Sequence, residues 1–340
     1  MKRLVLFKER NIGSGGKEIY VSRLSSALNE ANIAHDLKHS IFPLFLPSWL
    51  RQILFDIQIC FTKKDRVLFS FERIKCPDIY RAGDGVHKEF LKLQKKSFLN
   101  PLHYVMLRLE KKCFLNSKII IANSNLVREQ IISNYGIDRN KIKVIYNGIK
   151  LEHSRNSLSK SFLKKYTIKN EIIFLFVGNG FERKGLESFL KILSRLDNLN
   201  FIAFVVGKDK SENKYIELAR SLGIDQKVFF MGKRDDVQSF YKIADFFILP
   251  TKYDPFSNVV LEAMFNKNIV ITTRQNGASE ILDQDLVMKS SEDFGVIKMI
   301  QKIAASDELM HQFKLKNYQI SKTYSIEENM KRTINAIDAL

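Results

Sequence analysis

The feature that most constrains this chain is an alternation running along its whole length, in which apolar runs of strand length are followed by segments of helical period. In the first half the runs are RLVLF (3–7), RVLFSF (66–71), KIIIAN (118–123) and KVIYN (143–147), with helices expected over about 16–31 and 125–134. In the second half they are EIIFLFVG (171–178), FIAFVVG (201–207), KVFFMG (227–232), DFFILP (245–250) and NIVITT (268–273), with helices expected from about 184, near 213–222 and 235–243, and around Glu262. Continuous β-branched and aromatic runs of this kind are strands buried on both faces of a parallel sheet. The expectation is an α/β protein of two doubly wound, Rossmann-like domains.

With 340 residues, 45% of them hydrophobic, the chain can bury two cores. The polar segment KLEHSRNSLSKS (150–161) marks the boundary, so the expected units are 1–155, 156–320 and a last helix over 321–340. Two such sheets face a central cleft at the C-terminal ends of their strands, where open α/β sheets bind ligands.

Charge separates the halves. The net charge is +18; residues 1–160 hold 29 Lys+Arg against 14 Asp+Glu, and residues 161–340 hold 26 against 23. Nearly all the excess therefore lies in the first half, which suits an anionic partner: nucleic acid, phospholipid headgroups or a phosphorylated acceptor. General solubility is the alternative, but it would load both halves alike. Aromatic stacking platforms interleaved with Lys/Arg are not evident, so nucleic acid is not expected.

Cys60, Cys76 and Cys113 form no CxxC and no Cys/His cluster of ligand spacing, so neither a disulfide nor a zinc site is expected and the compartment reads as reducing. The N-terminal MKRLVLFKER has too few apolar residues for a signal peptide, and no run of about 18 apolar residues occurs, which points to a cytoplasmic location or a membrane surface. His35, His39, His103 and His153 lack ligand spacing, and DQD (283–285) lies in an expected loop.

Three stretches carry chemistry. NIGSGGKE (11–18) is a glycine loop running into a helix, where Gly15 and Gly16 permit close approach of a phosphate, although it has neither GxGxxG nor a P-loop ending and also suits a plain turn. FVGNGFERKG (176–185) sets Arg183 and Lys184 at a helix start, where cations are unfavourable unless an anion such as a diphosphate offsets them; a solvated pair is the alternative. YDPFSNVVLEAM (253–264) places Asp254 in a loop, a helix start near Ser257 or Asn258, and Glu262 a turn further on, able to accept from a ribose diol. One acid for a ribose and one for a second polyol, with a diphosphate between, describes a nucleotide-sugar.

These motifs, with NGASEIL (276–282), resemble the signature of retaining family 4 glycosyltransferases of the glycosyltransferase-B fold. The match is specific over about 171–282 and weaker but collinear from GSGGKE through VIYNGI. In that family the two acids are written E-x7-E, and here Asp254 replaces the first glutamate. The resemblance implies that Glu262 binds ribose, Asp254 the donor sugar, Arg183 and Lys184 the diphosphate, and Phe256 with the backbone of Ser257, Asn258 and Val259 the β-phosphate and sugar. Many relatives carry an arginine where this chain has Asn179, which puts more load on Arg183.

Within the family the chain is most similar to lipopolysaccharide-core glucosyltransferases, which share RKG and an acidic residue in a segment like YRAGDGVHKEF (80–90). That implies a UDP-sugar donor, a role for Asp84 or His87 in orienting the acceptor hydroxyl, and an anionic glycolipid or lipopolysaccharide-core acceptor at the inner face of the cytoplasmic membrane. It also implies no metal, no cofactor beyond the donor, and a last helix that crosses back to the first domain.

The stretch 87–115 has seven Lys+Arg against two Glu at amphipathic spacing, which suits a membrane surface, a packed helix with a solvated basic face being the alternative. LPSWLRQILFDIQICF (46–61), capped by Ser48, has Leu50, Ile53, Leu54 and Ile57 on one face and reads as core. A nucleotide-sugar epimerase or phosphorylase of the same architecture would keep the second-half motifs without needing the basic segment.

Overall fold

The computed structural model describes residues 4–8, 16–63, 65–94, 100–152, 166 and 171–340. Gly15 and most of the glycine loop, and part of the basic stretch 87–115, lie outside them. The chain divides into two compact units, 1–146 with 327–340 and 147–326.

Unit 1 is built on a six-stranded parallel sheet: β1 (Leu4–Lys8), β2 (His35–His39), β3 (Val67–Ser70), β4 (Ile79–Ala82), β5 (Ile119–Ala122) and β6 (Ile142–Val144), in the order β2-β1-β3-β4-β5-β6. Its helices are α1 (Gly16–Glu30), α2 (Ser48–Phe61), α3 (His87–Gln94), α4 (Pro101–Asn116) and α5 (Asn125–Tyr135). Their ends follow local chemistry. Asn100 caps α4 by accepting from Leu102 N, with Pro101 in the first turn, while Ser124 caps α5 and Gly136, at φ 63°, closes it. The C-terminal helix (Ile326–Asp338) ends in this unit, where Thr333 Oγ1 lies 3.0 Å from Tyr20 Oη and Asn329 donates to the Tyr146 carbonyl.

The structure corrects two expectations here. In α2 the face that enters the core carries Phe55 and Ile59, packed with Val5, Leu68 and Ile74; Arg51, Gln52 and Asp56 are buried beside them, and Ile57 is 40% exposed. The expected core stripe is therefore not the buried face: Leu50, Ile53 and Leu54 are only half-buried. Asp56 tolerates burial because Lys75 supplies its ammonium at 2.9 Å and its backbone N–H. Ser48 opens the helix, but no side chain caps it.

Second, Cys60 and Cys76 form a disulfide, their Cα atoms 5.8 Å apart. The return of the chain through β3 brings the segment before β4 beside the last turn of α2, a proximity that a separation of 16 residues does not announce.

Unit 2 repeats the plan with β7 (Ile172–Val177), β8 (Phe201–Val206), β9 (Val228–Gly232), β10 (Phe246–Leu249), β11 (Ile269–Thr273) and β12 (Val287–Met288), all parallel, in the order β12-β11-β10-β7-β8-β9. The helices are α6 (Phe181–Lys184), α7 (Leu186–Leu193), α8 (Glu212–Ser221), α9 (Val237–Ile243), α10 (Asn258–Phe265), α11 (Val296–Ala304) and α12 (Asp307–Ser321). β8 and β10 are buried along their whole length, as strands covered on both faces must be. In each sheet the winding reverses once, between β1 and β3 in unit 1 and between β7 and β10 in unit 2. Those reversals are where an open α/β sheet leaves room for a ligand.

Candidate functional site

In unit 2 both loops at the reversal carry the residues singled out from sequence. The chain leaves β7 through Gly180 in a left-handed turn, makes the single turn α6, and passes through Gly185 at φ 79° into α7. A Cβ on Gly185 would stand 1.9 Å from the Pro250 carbonyl oxygen, so the glycine of RKG lets the loop lie against the end of β10. The Arg183 carbonyl then accepts from Lys252 N at 2.8 Å and from Thr251 Oγ1 at 2.9 Å, which fastens the two loops together.

That seam brings Lys184 Nζ to 2.6 Å from Asp254 Oδ2 and 3.1 Å from Ser257 Oγ. Arg183 reaches the same carboxylate oxygen at 3.3 Å and the Tyr253 carbonyl at 3.0 Å. Lys184 and Asp254 are both buried, whereas the Arg183 side chain is 32% exposed. Burial would raise the Asp254 carboxyl, but the charge and hydrogen bond of Lys184, aided by Arg183, hold it below the ordinary carboxylate range. The sequence offered a diphosphate as the anion offsetting these two cations; among the described residues Asp254 makes that offset, and two cations share its one carboxylate.

α10 begins at Asn258, with Ser257 at its N-cap, but the Ser257 hydroxyl accepts from Lys184 rather than capping the helix. Asn276 holds this turn: its Oδ1 accepts from Ser257 N and Ala278 N, and its Nδ2 donates to Thr272 Oγ1. Asp254 joins the same frame through its N–H to Gln275 O and its carbonyl from Gly277 N. Phe256 is buried and its N–H donates to Asp254 Oδ1. Asn258 is exposed and Val259 half-buried, in a first helical turn that carries partial positive charge and in which Val260 N donates to the Ser257 carbonyl. Glu262, half-buried one turn on, accepts from Tyr241 Oη at 3.2 Å. Tyr241 is fully buried, and burial together with Glu262 pushes its phenol well above the ordinary value, so it stays a donor that orients the carboxylate.

Unit 1 assembles a different group at its reversal. Lys17 of α1 sits 3.0 Å from Glu72, which follows β3, and 2.9 Å from Asp84, which follows β4. Burial works against the Lys17 charge, yet the two carboxylates raise its pKa. Protein around Asp84 would raise that carboxyl, and Lys17, then Arg73 and Arg81, bring it below the usual range. Half of the Asp84 side chain is nonetheless open to solvent.

His87 begins α3, its Nε2 3.2 Å from His103 Nδ1 on α4. Burial and the Arg73 charge push its imidazole down to about 4, so it is neutral at physiological pH. The start of α3 is held by Glu110, a fully buried carboxylate that pairs with Arg73 at 2.7 Å, accepts from the N–H groups of His87 and Lys88, and accepts from Tyr135 Oη at 2.6 Å. Sequence reading missed Glu110, Arg73, Lys17, Glu72 and the contact of His103. The available signal was Glu110 itself, a carboxylate on the α4 stripe that also buries Leu109, Cys113 and Phe114. Asp283 of DQD caps a turn and pairs with Lys316, and among the described residues no group of three or more His, Cys, Asp or Glu is placed to hold a metal.

Comparison with known proteins bears on both units. Residues 159–319 match the family model "Glycosyl transferases group 1", and residues 38–153 match "Glycosyltransferase Family 4". The lipopolysaccharide glucosyltransferase WaaG of Escherichia coli (strain K12) is 28% identical over 222 residues, 62% of this chain and 59% of that protein. The matches span a little over half the length of the curated relatives, 56–58% for the first three. Among solved structures, that of WaaG, described as a glycosyltransferase involved in lipopolysaccharide biosynthesis, superposes with a TM-score of 0.78 at 19% identity, covering 98% of this chain and 99% of that one. Anabaena HepE, crystallised in complex with UDP, gives 0.74 at 17% identity over 100% of both chains.

Proposed function

The chain belongs to the family 4 glycosyltransferases of the glycosyltransferase-B fold, and from that membership we propose that it moves a hexose from a UDP-sugar, with retained anomeric configuration, to a lipid-linked or lipopolysaccharide-core glycan at the cytoplasmic face of a membrane. The observation that carries this reading is the position of Lys184, Arg183 and the first turn of α10 around one carboxylate at the reversal of unit 2. Two cations and a helix N-terminus against one anion leave positive potential for a diphosphate. As the sugar–phosphate bond breaks, that potential stabilises the departing charge.

Glu262, oriented by Tyr241, takes the ribose diol. Asp254 lies against the donor sugar while it fixes Lys184, and Phe256 with the backbone of Ser257, Asn258 and Val259 lines the β-phosphate and sugar. Gly16, which opens α1, and Gly15 before it in the sequence are the phosphate neighbours of this reading. The departing phosphate takes the acceptor proton, so no separate base is required. In unit 1, Asp84 accepts from the acceptor hydroxyl and neutral His87 helps to orient it. WaaG and HepE motivate the acceptor class and the uridine base respectively. An anionic membrane surface suits the basic first half, and among the described residues no helix is long and apolar enough to cross a membrane. No metal or further cofactor enters the scheme.

The test is UDP release from UDP-glucose and UDP-galactose with and without a lipid-borne anionic core oligosaccharide. Release that requires the acceptor and falls roughly 10²-fold or more in Lys184→Met supports the proposal. Interconversion of the sugars without acceptor would assign the chain to an epimerase instead.

A further inference from the structure

The outward face of α2 is apolar. Trp49, Ile57 and Phe61 are 37%, 40% and 81% exposed, at multiples of four residues and therefore on one side of the helix. No charged residue of α2 shares that side, since Arg51 and Asp56 are both buried. The stretch before the helix extends the surface with Ile41, Leu44 and Phe45, 76%, 67% and 85% exposed. It is tied to the helix by polar contacts: Ile41 N donates to Gln58 Oε1, Gln58 Nε2 donates to the His39 carbonyl, and Arg51 donates to the Leu44 carbonyl. Isolated exposed apolar residues are ordinary, but six large ones joined in one surface mark an interaction site.

The rim identifies the partner. Lys38 is exposed just before the patch, while Lys63 and Lys75 stand at its edge paired with Asp78 and Asp56. α4, which packs on α2, turns Arg108, Lys111 and Lys112 outward together with Tyr104 and Leu115. An apolar centre with a cationic rim matches a bilayer whose headgroups are anionic. A second copy of the chain would set two cationic rims against each other, which electrostatic complementarity disfavours.

We propose that the 41–61 face of unit 1 docks on an anionic bilayer, with Leu44, Phe45, Trp49 and Phe61 entering the acyl boundary and the surrounding Lys and Arg lying at the headgroups. This deepens the reading of a membrane-borne acceptor and rests on it for its purpose. Its evidence is the surface alone.

Trp49 is the only tryptophan of the chain, so its emission reports this face directly. The full-length protein is titrated with phosphatidylcholine vesicles, with phosphatidylcholine/phosphatidylglycerol vesicles, and with the latter carrying brominated acyl chains. The expected result is a blue shift and bromine quenching with the anionic vesicles and neither with phosphatidylcholine alone. Phe45→Ser/Phe61→Ser, at two strongly exposed positions, should partition roughly tenfold or more weaker. Vesicle binding with Trp49 emission unmoved, binding unaffected by the double substitution, or no binding at all would overturn the proposal. So would an emission change that follows protein concentration without lipid, which would assign the face to a second copy. The same samples are tested for a melting shift with UDP: loss of that response with the Trp49 shift intact would sink the donor reading and leave this inference standing.

Discussion

The two sheet reversals differ in sign and in burial. At the reversal of unit 2, Arg183 and Lys184 share the single carboxylate of Asp254, with Lys184 and Asp254 withdrawn from solvent. At that of unit 1, the single ammonium of Lys17 is shared by Glu72 and Asp84, and Asp84 remains half open. Local charge thus does not follow the charge of the halves: in the basic first half two carboxylates share Lys17, with Arg73 and Arg81 also acting on Asp84. Net charge describes what a domain's surface attracts over long range, while the chemistry at its crevice depends on which few side chains the loops bring together. An excess cation suits a diphosphate, and a half-open carboxylate suits a hydroxyl.

The comparison is tested first where the burial is deepest. Asp254→Ala leaves Lys184 buried without its carboxylate and should cost about 3–5 kcal/mol in denaturant unfolding. Asp84→Ala removes a pair that solvent already screens and should cost under about 1 kcal/mol while strongly lowering turnover. Equal losses at the two positions would erase the distinction drawn here.

Glu110→Gln should follow at about 2–3 kcal/mol, since Arg73 loses its ionised partner in the core and one of the two acceptor oxygens that serve Arg73, Tyr135 and the start of α3 becomes an NH2 donor. Gly185→Ala, measured the same way, should cost about 1–3 kcal/mol, because a positive φ and the Pro250 carbonyl both oppose a side chain. A smaller effect is set by pH. His87 has a folded pKa depressed to about 4, against an ordinary value of 6.5, so between those values the unfolded chain binds the extra proton. Its contribution to stability is complete above about 6.5, declines as pH falls toward 4, and declines no further below. Replacing it by Asn should flatten that part of the melting temperature–pH curve, and an unchanged slope would exclude His87 as its source.

The strands legible from sequence were those written as unbroken apolar runs: FIAFVV and FFIL are such runs, and β8 and β10 lie within the expected ranges. β2 (HDLKH) and β4 (IYRA) were missed because a half-exposed edge strand and a four-residue strand holding an arginine present no such run. The α2 stripe shows a deeper limit. Periodicity finds an apolar face but not which side the core lies on, and here the core side also takes Arg51, Gln52 and Asp56. Arg183, Lys184, Asp254 and Glu262 were visible because short motifs hold them, whereas Lys17, Glu72, Arg73 and Glu110 meet only through the winding of the sheet.

The most direct test of the donor reading is the melting shift given by UDP in wild type and in Glu262→Ala. At about 100 times its dissociation constant, a ligand that binds only the folded state adds roughly 2.7 kcal/mol of stability. The account predicts a clear upward shift with UDP in the wild type and its loss in Glu262→Ala. No shift in the wild type, or an equal shift in the variant, would contradict the assignment of the unit 2 reversal to a nucleotide-sugar.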